Sequence, residues 1–277
     1  MTKVSGWAAY KETLFQEGAM NIPREIQIRA YIHKDNDNDA FLDEVNDSSL
    51  ITTKIIHFQR HGQGYHNLLG DITRYLGKEV NIDDNDPTAN PFVRADIHDS
   101  PLTSKGRQEA AMQRSYASKL SPEVIIVSPL HRAIQTALIS FSDHLDQGTK
   151  FIAHDGCREQ LGLLTCNRAL PLSQTKIEFP QIDFSLVSHG EEDHLWDRNP
   201  HRREHPVDEA NRAYEFLTNF IMTRPEHEIA VVCHSAWLFS LCNCVMDCNG
   251  NDALESWFGT SEIRSMRVCF HRNESNE

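Results

Sequence analysis

The chain has 277 residues, 39% of them hydrophobic, and a formal net charge of −13 at pH 7, which suits one sizeable core, or a core with an appendage. That acidity argues against a nucleic-acid backbone as partner. No apolar run approaches the roughly 20 residues that span a bilayer, so a membrane is not expected either.

Residues 1–50 read as a polar extension that packs on a core domain formed by residues 51–277. No h-region marks a signal peptide in its first residues. A short helix is expected around residues 7–16 and a strand around 26–32. The acidic run 35–39 looks like the start of a calcium loop but fails the template. Ala40 stands where the sharp turn needs glycine, and Asn46 where a bidentate glutamate is needed.

From residue 51 onward strand and helix signals alternate. The apolar run Ile55-Ile56-His57-Phe58 ends on Gln59-Arg60-His61-Gly62. Residues 81–91 are loop. A helix follows with Thr103 or Ser104 as cap and runs to about Leu120, and a strand covers 124–127. Ser128-Pro129 is a helix-start signal, a cap followed by proline at the first helical position. Leu130, Ala133, Ile134, Ala137, Leu138 and Phe141 then form one apolar stripe at helical spacing. A strand is expected near 150–154. An amphipathic helix carries Ala213, Phe216, Leu217, Phe220 and Ile221, and a strand over 228–233 ends on His234-Ser235. A helix from about Ala236 and a last strand near 265–270 complete the pattern. Such alternation implies an α/β fold, a three-layer α/β/α sandwich with a mostly parallel central sheet. The seven cysteines are odd in number and several lie in apolar runs, so buried reduced thiols and a cytoplasmic or nuclear location are expected rather than a disulfide framework.

In open α/β sheets ligands bind outside the carboxyl ends of the strands. Arg60 there can fork two phosphate oxygens, and a neutral His61 can attack phosphorus. A second strand end delivers His234, so two imidazoles can converge on one phosphoryl group. In an acidic protein the pocket must be locally basic, with Arg60, Arg132, Arg158 and Arg168 as candidates. A metal site is not expected. His57, His61 and His66 do not share a face of a strand-to-loop segment, and no Cys-x-x-Cys pair occurs among Cys233, Cys242, Cys244 and Cys248.

Four landmarks stand in order: Arg60-His61-Gly62 with Asn67; Ser128 to Ala137, containing Leu130-His131-Arg132-Ala133-Ile134-Gln135-Thr136-Ala137; Cys157-Arg158-Glu159-Gln160-Leu161-Gly162; and Cys233-His234-Ser235. Over roughly residues 51–270 this resembles the histidine phosphatase superfamily, which includes cofactor-dependent phosphoglycerate mutase. The Cys157–Gly162 stretch followed by Phe179-Pro180-Gln181-Ile182-Asp183-Phe184 is similar to the phosphoglycerate mutase-like branch of fungi and plants. The resemblance implies His61 as the nucleophile that becomes phosphohistidine, with Arg60, Asn67, Arg132 and Ser235 on the phosphoryl group. It also implies His234 completing the catalytic pocket and Glu159 protonating the leaving oxygen. Asp96, Asp99 and Glu109 are rivals for that acid. His66 departs from the large aromatic common in the mutase subgroup and is expected to be a pocket wall.

The expected activity is therefore metal-independent and cofactor-free hydrolysis of a small phosphorylated metabolite, such as a sugar or polyol phosphate, through a phosphohistidine. Gln63 replaces the glutamate of typical mutases, which favours a phosphatase over a phosphoglycerate-type phosphomutase. The remaining alternative is a catalytically inactive phosphate-binding or regulatory protein. Arg74, Arg94 and Arg168 are candidates to read a second anionic group of the substrate. Oligomeric state is not legible in the sequence.

Overall fold

The computed structural model describes residues 6–33 and 47–273. The acidic run 35–39 and Asn46 lie outside the described residues. Seven strands form one sheet in the order β1-β7-β2-β6-β3-β4-β5. They are β1 (Ile26–Ile32), β2 (Leu50–Arg60), β3 (Val124–Val127), β4 (Lys150–His154), β5 (Ile182–Leu186), β6 (Glu228–Cys233) and β7 (Ile263–Arg272). β2, β6, β3, β4 and β5 run parallel to one another. β7 is antiparallel to both β2 and β1. Helix α1 (Gly6–Gln16) precedes β1, so the first 50 residues add a helix and an edge strand to this sheet.

The sheet is covered on both faces, and the alternation of side chains along each strand shows how. Val124 and Ile126 of β3 join Ile56, Phe58, Ile229 and Val231 in one buried cluster with Phe216 and Trp237. Ile125 and Val127 join Ala230 and Val232 in the other, with Ala133, Ile134 and Ala137. A strand buried on both faces has no polar side to show, which is why 124–127 reads as an unbroken apolar run.

The helices used below are α2 (Tyr65–Tyr75), α3 (Ser104–Ala117), α4 (His131–Ser140), α5 (Pro206–Glu215) and α6 (Ser235–Ser240). α5 passes into a π-helical stretch, Phe216–Ile221. Thr103 caps α3 as expected, its hydroxyl accepting from Gly106 N at 3.0 Å. The helix after β3 differs from the sequence expectation. It starts at His131, and Leu130 before it is extended, so Ser128-Pro129 belongs to the strand-to-helix connection. All seven cysteines are free. Among the described residues no helix is long and apolar enough to cross a membrane.

Candidate active site

The site is built by the register of two parallel strands. Arg60, the last residue of β2, lies opposite Cys233, the last residue of β6. The backbone N–H of His61 then donates to the Cys233 carbonyl at 2.9 Å, which sets His61 beside His234. Their ring centroids are 5.1 Å apart, and His66 from the first turn of α2 lies 5.5 Å from His61 on its own account.

The His61 ring has one fixed partner and one working position. Nδ1 lies 2.6 Å from the Gly62 carbonyl, which can only accept, so Nδ1 carries the proton and Nε2 keeps its lone pair. Arg132 Nε approaches that Nε2 at 3.3 Å. Burial, then the charges of Arg132 and Arg60, push the His61 pKa well below its ordinary 6.5, against the hydrogen bond to Gly62. Burial and the Arg132 charge do the same to His66 and His234.

Arg132 sits on the first turn of α4, fully buried. Its Nη1 donates to the Cys166 carbonyl at 2.7 Å and its Nη2 to Asn167 Oδ1 at 2.8 Å. The same helix stabilises the loop that carries His61, since Thr136 Oγ1 accepts from Gly62 N at 3.0 Å. Arg60 donates through Nη1 to the Phe258 carbonyl at 2.7 Å, and its Nε is buried without a partner. His234 uses Nε2 toward Ser128 Oγ at 2.7 Å, while its buried Nδ1 is likewise unpartnered. Arg60, next to His61 in the chain, and His234, whose ring centroid is 5.1 Å from that of His61, thus each hold a buried polar atom without a partner, which a ligand's polar atoms could meet.

Glu159 faces the start of α6. Its oxygens accept from Trp237 N at 3.1 Å, Ala236 N at 3.4 Å and Gln160 N at 3.1 Å. Its negative charge reaches Arg60 and Arg132, where it opposes the lowering that burial imposes on both guanidiniums. The rivals for the acid role are engaged elsewhere. Asp96 pairs with Arg94 at the surface. Asp99 is buried against His131, with Nδ1 at 2.7 Å. Glu109 accepts from Gln63 N at 2.8 Å.

Asn67 is the third residue of α2, and its Oδ1 accepts from Gly64 N at 2.9 Å, leaving its amide N–H groups for other partners. Ser235 is the first residue of α6, half-buried next to His234. Arg158 does not join the group. It is fully buried in an ion pair with Asp193 and also donates to the Asn167 carbonyl at 3.0 Å, so it braces the loop that holds Arg132. Arg168 pairs with Asp197 at 3.1 Å and lies over Trp196. Two participants escaped the sequence reading. Ser128 looked like a helix cap but serves His234, and Asn167 holds Arg132 without any local pattern to mark it. Among the described residues no three His, Cys, Asp or Glu side chains are grouped to hold a metal ion. His57 is engaged by Ser265 and Glu228.

The family model of the histidine phosphatase superfamily, branch 1, matches residues 94–268, a span that holds Arg132, Glu159 and His234. A phosphoglycerate mutase-like protein of Arabidopsis thaliana is 31% identical over 252 residues, covering 79% of this chain and 86% of the relative. A probable phosphatase of Schizosaccharomyces pombe is 25% identical over 183 residues, covering 65% and 74%. The structure of a mycobacterial glucosyl-3-phosphoglycerate phosphatase superposes with a TM-score of 0.45 at 18% identity, over 79% of this chain and 98% of that one. With a family model across most of its length and a plant relative at this identity, the chain belongs to the histidine phosphatase superfamily.

Proposed function

We propose that the protein is a metal-independent phosphatase that hydrolyses a small phosphomonoester through a phosphohistidine on His61. The observation that carries this reading is the 2.6 Å contact between His61 Nδ1 and the Gly62 carbonyl. It leaves Nε2 as an unprotonated nucleophile among two arginines and a second histidine.

In the first step the Nε2 lone pair forms the N–P bond as the P–O bond to the alcohol breaks. The departing oxygen takes its proton from Glu159. In the second step the Glu159 carboxylate takes a proton from water, the resulting hydroxide oxygen attacks phosphorus, and the N–P bond breaks to release phosphate and restore His61. Phosphoryl transfer is mostly positioning and charge neutralisation. Arg60 and Arg132 supply fixed positive charge, and the unpartnered His234 Nδ1, the Asn67 amide and Ser235 supply further phosphoryl contacts.

A phosphoglycerate-type mutase is the second reading, favoured by the mutase-like names of the Arabidopsis thaliana relatives. Hydrolysis is preferred because Gln63 occupies the position after Gly62, and its side chain is tied to Thr103 at 2.9 Å. The test is turnover of an aryl phosphate, together with trapping of acid-labile, base-stable label from a radioactive substrate. Wild-type protein should show both, and His61→Ala neither. Label retained on His61→Ala would exclude this nucleophile. With 3-phosphoglycerate, release of inorganic phosphate supports the phosphatase, whereas isomerisation without release supports the mutase.

A further inference from the structure

A cavity of about 320 Å³ opens on the Arg60 side of the site, lined by Arg60, Asn67, Asp71, Arg74, Phe92 and Lys105 among others. Asn67, Asp71 and Arg74 follow one another at spacings of four and three, so they share one face of α2. Lys105 enters from the first turn of α3. Three cations against one carboxylate meet here in a protein whose net charge is −13.

Neither outlying cation is spent on a strong partner. Arg74 lies 3.4 Å from Asp71 and Lys105 3.7 Å from Glu109, and both cationic side chains are more than half exposed. Pairs of that kind hold weakly and exchange readily for a better anion. The other two arginines considered from sequence are engaged differently. Arg94 forks both oxygens of Asp96, and Arg168 is held by Asp197 and Trp196. Phe92 gives the cavity an apolar wall that packs closely on Gly70.

We propose that this cavity is a subsite for a second anionic group of the substrate. The substrate class is then a phosphomonoester that carries a carboxylate or a second phosphate a few atoms from the one transferred. Arg60 stands between the two anions. The proposal rests on the reading of His61 as nucleophile, and its test separates the two.

The experiment compares kcat/KM for propyl phosphate, 3-phosphooxypropanoate and propane-1,3-diyl bisphosphate, which share a carbon chain and differ at the far end. Wild-type protein should prefer at least one of the charged-end compounds over propyl phosphate by about tenfold or more, as expected for a charge-assisted fork. Arg74→Gln/Lys105→Gln should lower that preference about tenfold, chiefly through KM, and Arg94→Gln should leave it in place. No preference in the wild type would overturn the subsite, as would full preference in the double variant or an equal loss in Arg94→Gln. If no phosphomonoester were hydrolysed at all, the nucleophile reading would fail separately. The subsite would then be judged by thermal stabilisation. Propane-1,3-diyl bisphosphate should raise the unfolding temperature more than propyl phosphate in the wild type but not in the double variant, and equal shifts in both proteins would overturn it.

Discussion

The proton-donor role proposed for Glu159 makes its weight depend on the substrate's leaving group. Sugar and polyol phosphates leave as basic alkoxides, so Glu159→Gln should slow their turnover by a factor on the order of 10² or more. Aryl phosphates leave as stabilised anions and should lose much less. The check is kcat for both classes across pH, and an equal loss for both would take the acid role away from Glu159. Asp99 would not inherit it, since its oxygens accept from the His131 ring, His131 N and Leu170 N. The approach of His61 and His234 was legible in the sequence because each stands just beyond an apolar run with strand character, whereas Arg132, on the helix after β3, was marked by the family resemblance. Ser128 and Asn167 were not legible, because each acts on a partner 106 or 35 residues away. Arg158 was misplaced for a related reason. An arginine looks the same in sequence whether it meets an anionic ligand or, as here, a buried aspartate.

At the scale of elements, the loop bearing His61 is seated on the first turn of α3 by backbone-to-backbone contact. A Cβ added to Gly106 would press on the Gln63 carbonyl and come within 2.8 Å of Gln63 N, and one added to Gly62 would meet the Gly106 carbonyl. Neither obstacle is a flexible side chain that can turn aside. Gly106→Ala should therefore cost roughly 1–3 kcal/mol of stability, the usual range for overpacking, and lower kcat by shifting Gln63 and its neighbours. Denaturant midpoint and turnover measure the two effects. A variant with both unchanged would show that the contact has slack. The elements themselves were legible wherever the hydrophobic period was long, as in β3 and α4. The start of α4 was not. Its first backbone N–H is met by Asp99 Oδ1 at 2.9 Å, a cap supplied from 32 residues upstream, which no local Ser-Pro word can reveal. β7 alone runs against the other six strands of the sheet, and period-2 patterns carry no information about the direction of a partner.

For the molecule as a whole, the buried histidines set how stability depends on pH. His61, His66 and His234 all have folded pKa values well below 6.5 because burial disfavours the imidazolium. Unfolding releases them to take up protons, so stability should fall as pH drops below about 6.5. Glu209 works the other way. It is fully buried, and burial with the nearby charges of Glu204 and Glu159 raises its pKa well above 4.5, so the folded protein holds a proton that the unfolded chain releases. His154, whose pKa burial also lowers, adds to the histidine side, so unfolding takes up protons on balance below about pH 6.5 and stability falls on acidification. His131 opposes this only at higher pH. Burial would lower its pKa, but Asp99 and Glu178 outweigh burial and raise it, so its contribution is present below 6.5 and lost as pH rises through the folded value. Urea midpoints measured from pH 5 to 7 give the answer, and a midpoint that rises on acidification would contradict it.

The strand register that brings His61 to His234 also dictates when the site can come into being. β2 pairs with β6 and β7 and with no strand nearer in sequence, and β1 pairs with β7. On the ribosome the strand that leads to His61 is therefore synthesised early and finds its neighbours late. Contacts of such long range make folding slow, and an apolar strand left with open edges is prone to aggregate. The segment that delivers His61 thus spends most of its synthesis without the strands that flank it in the finished sheet.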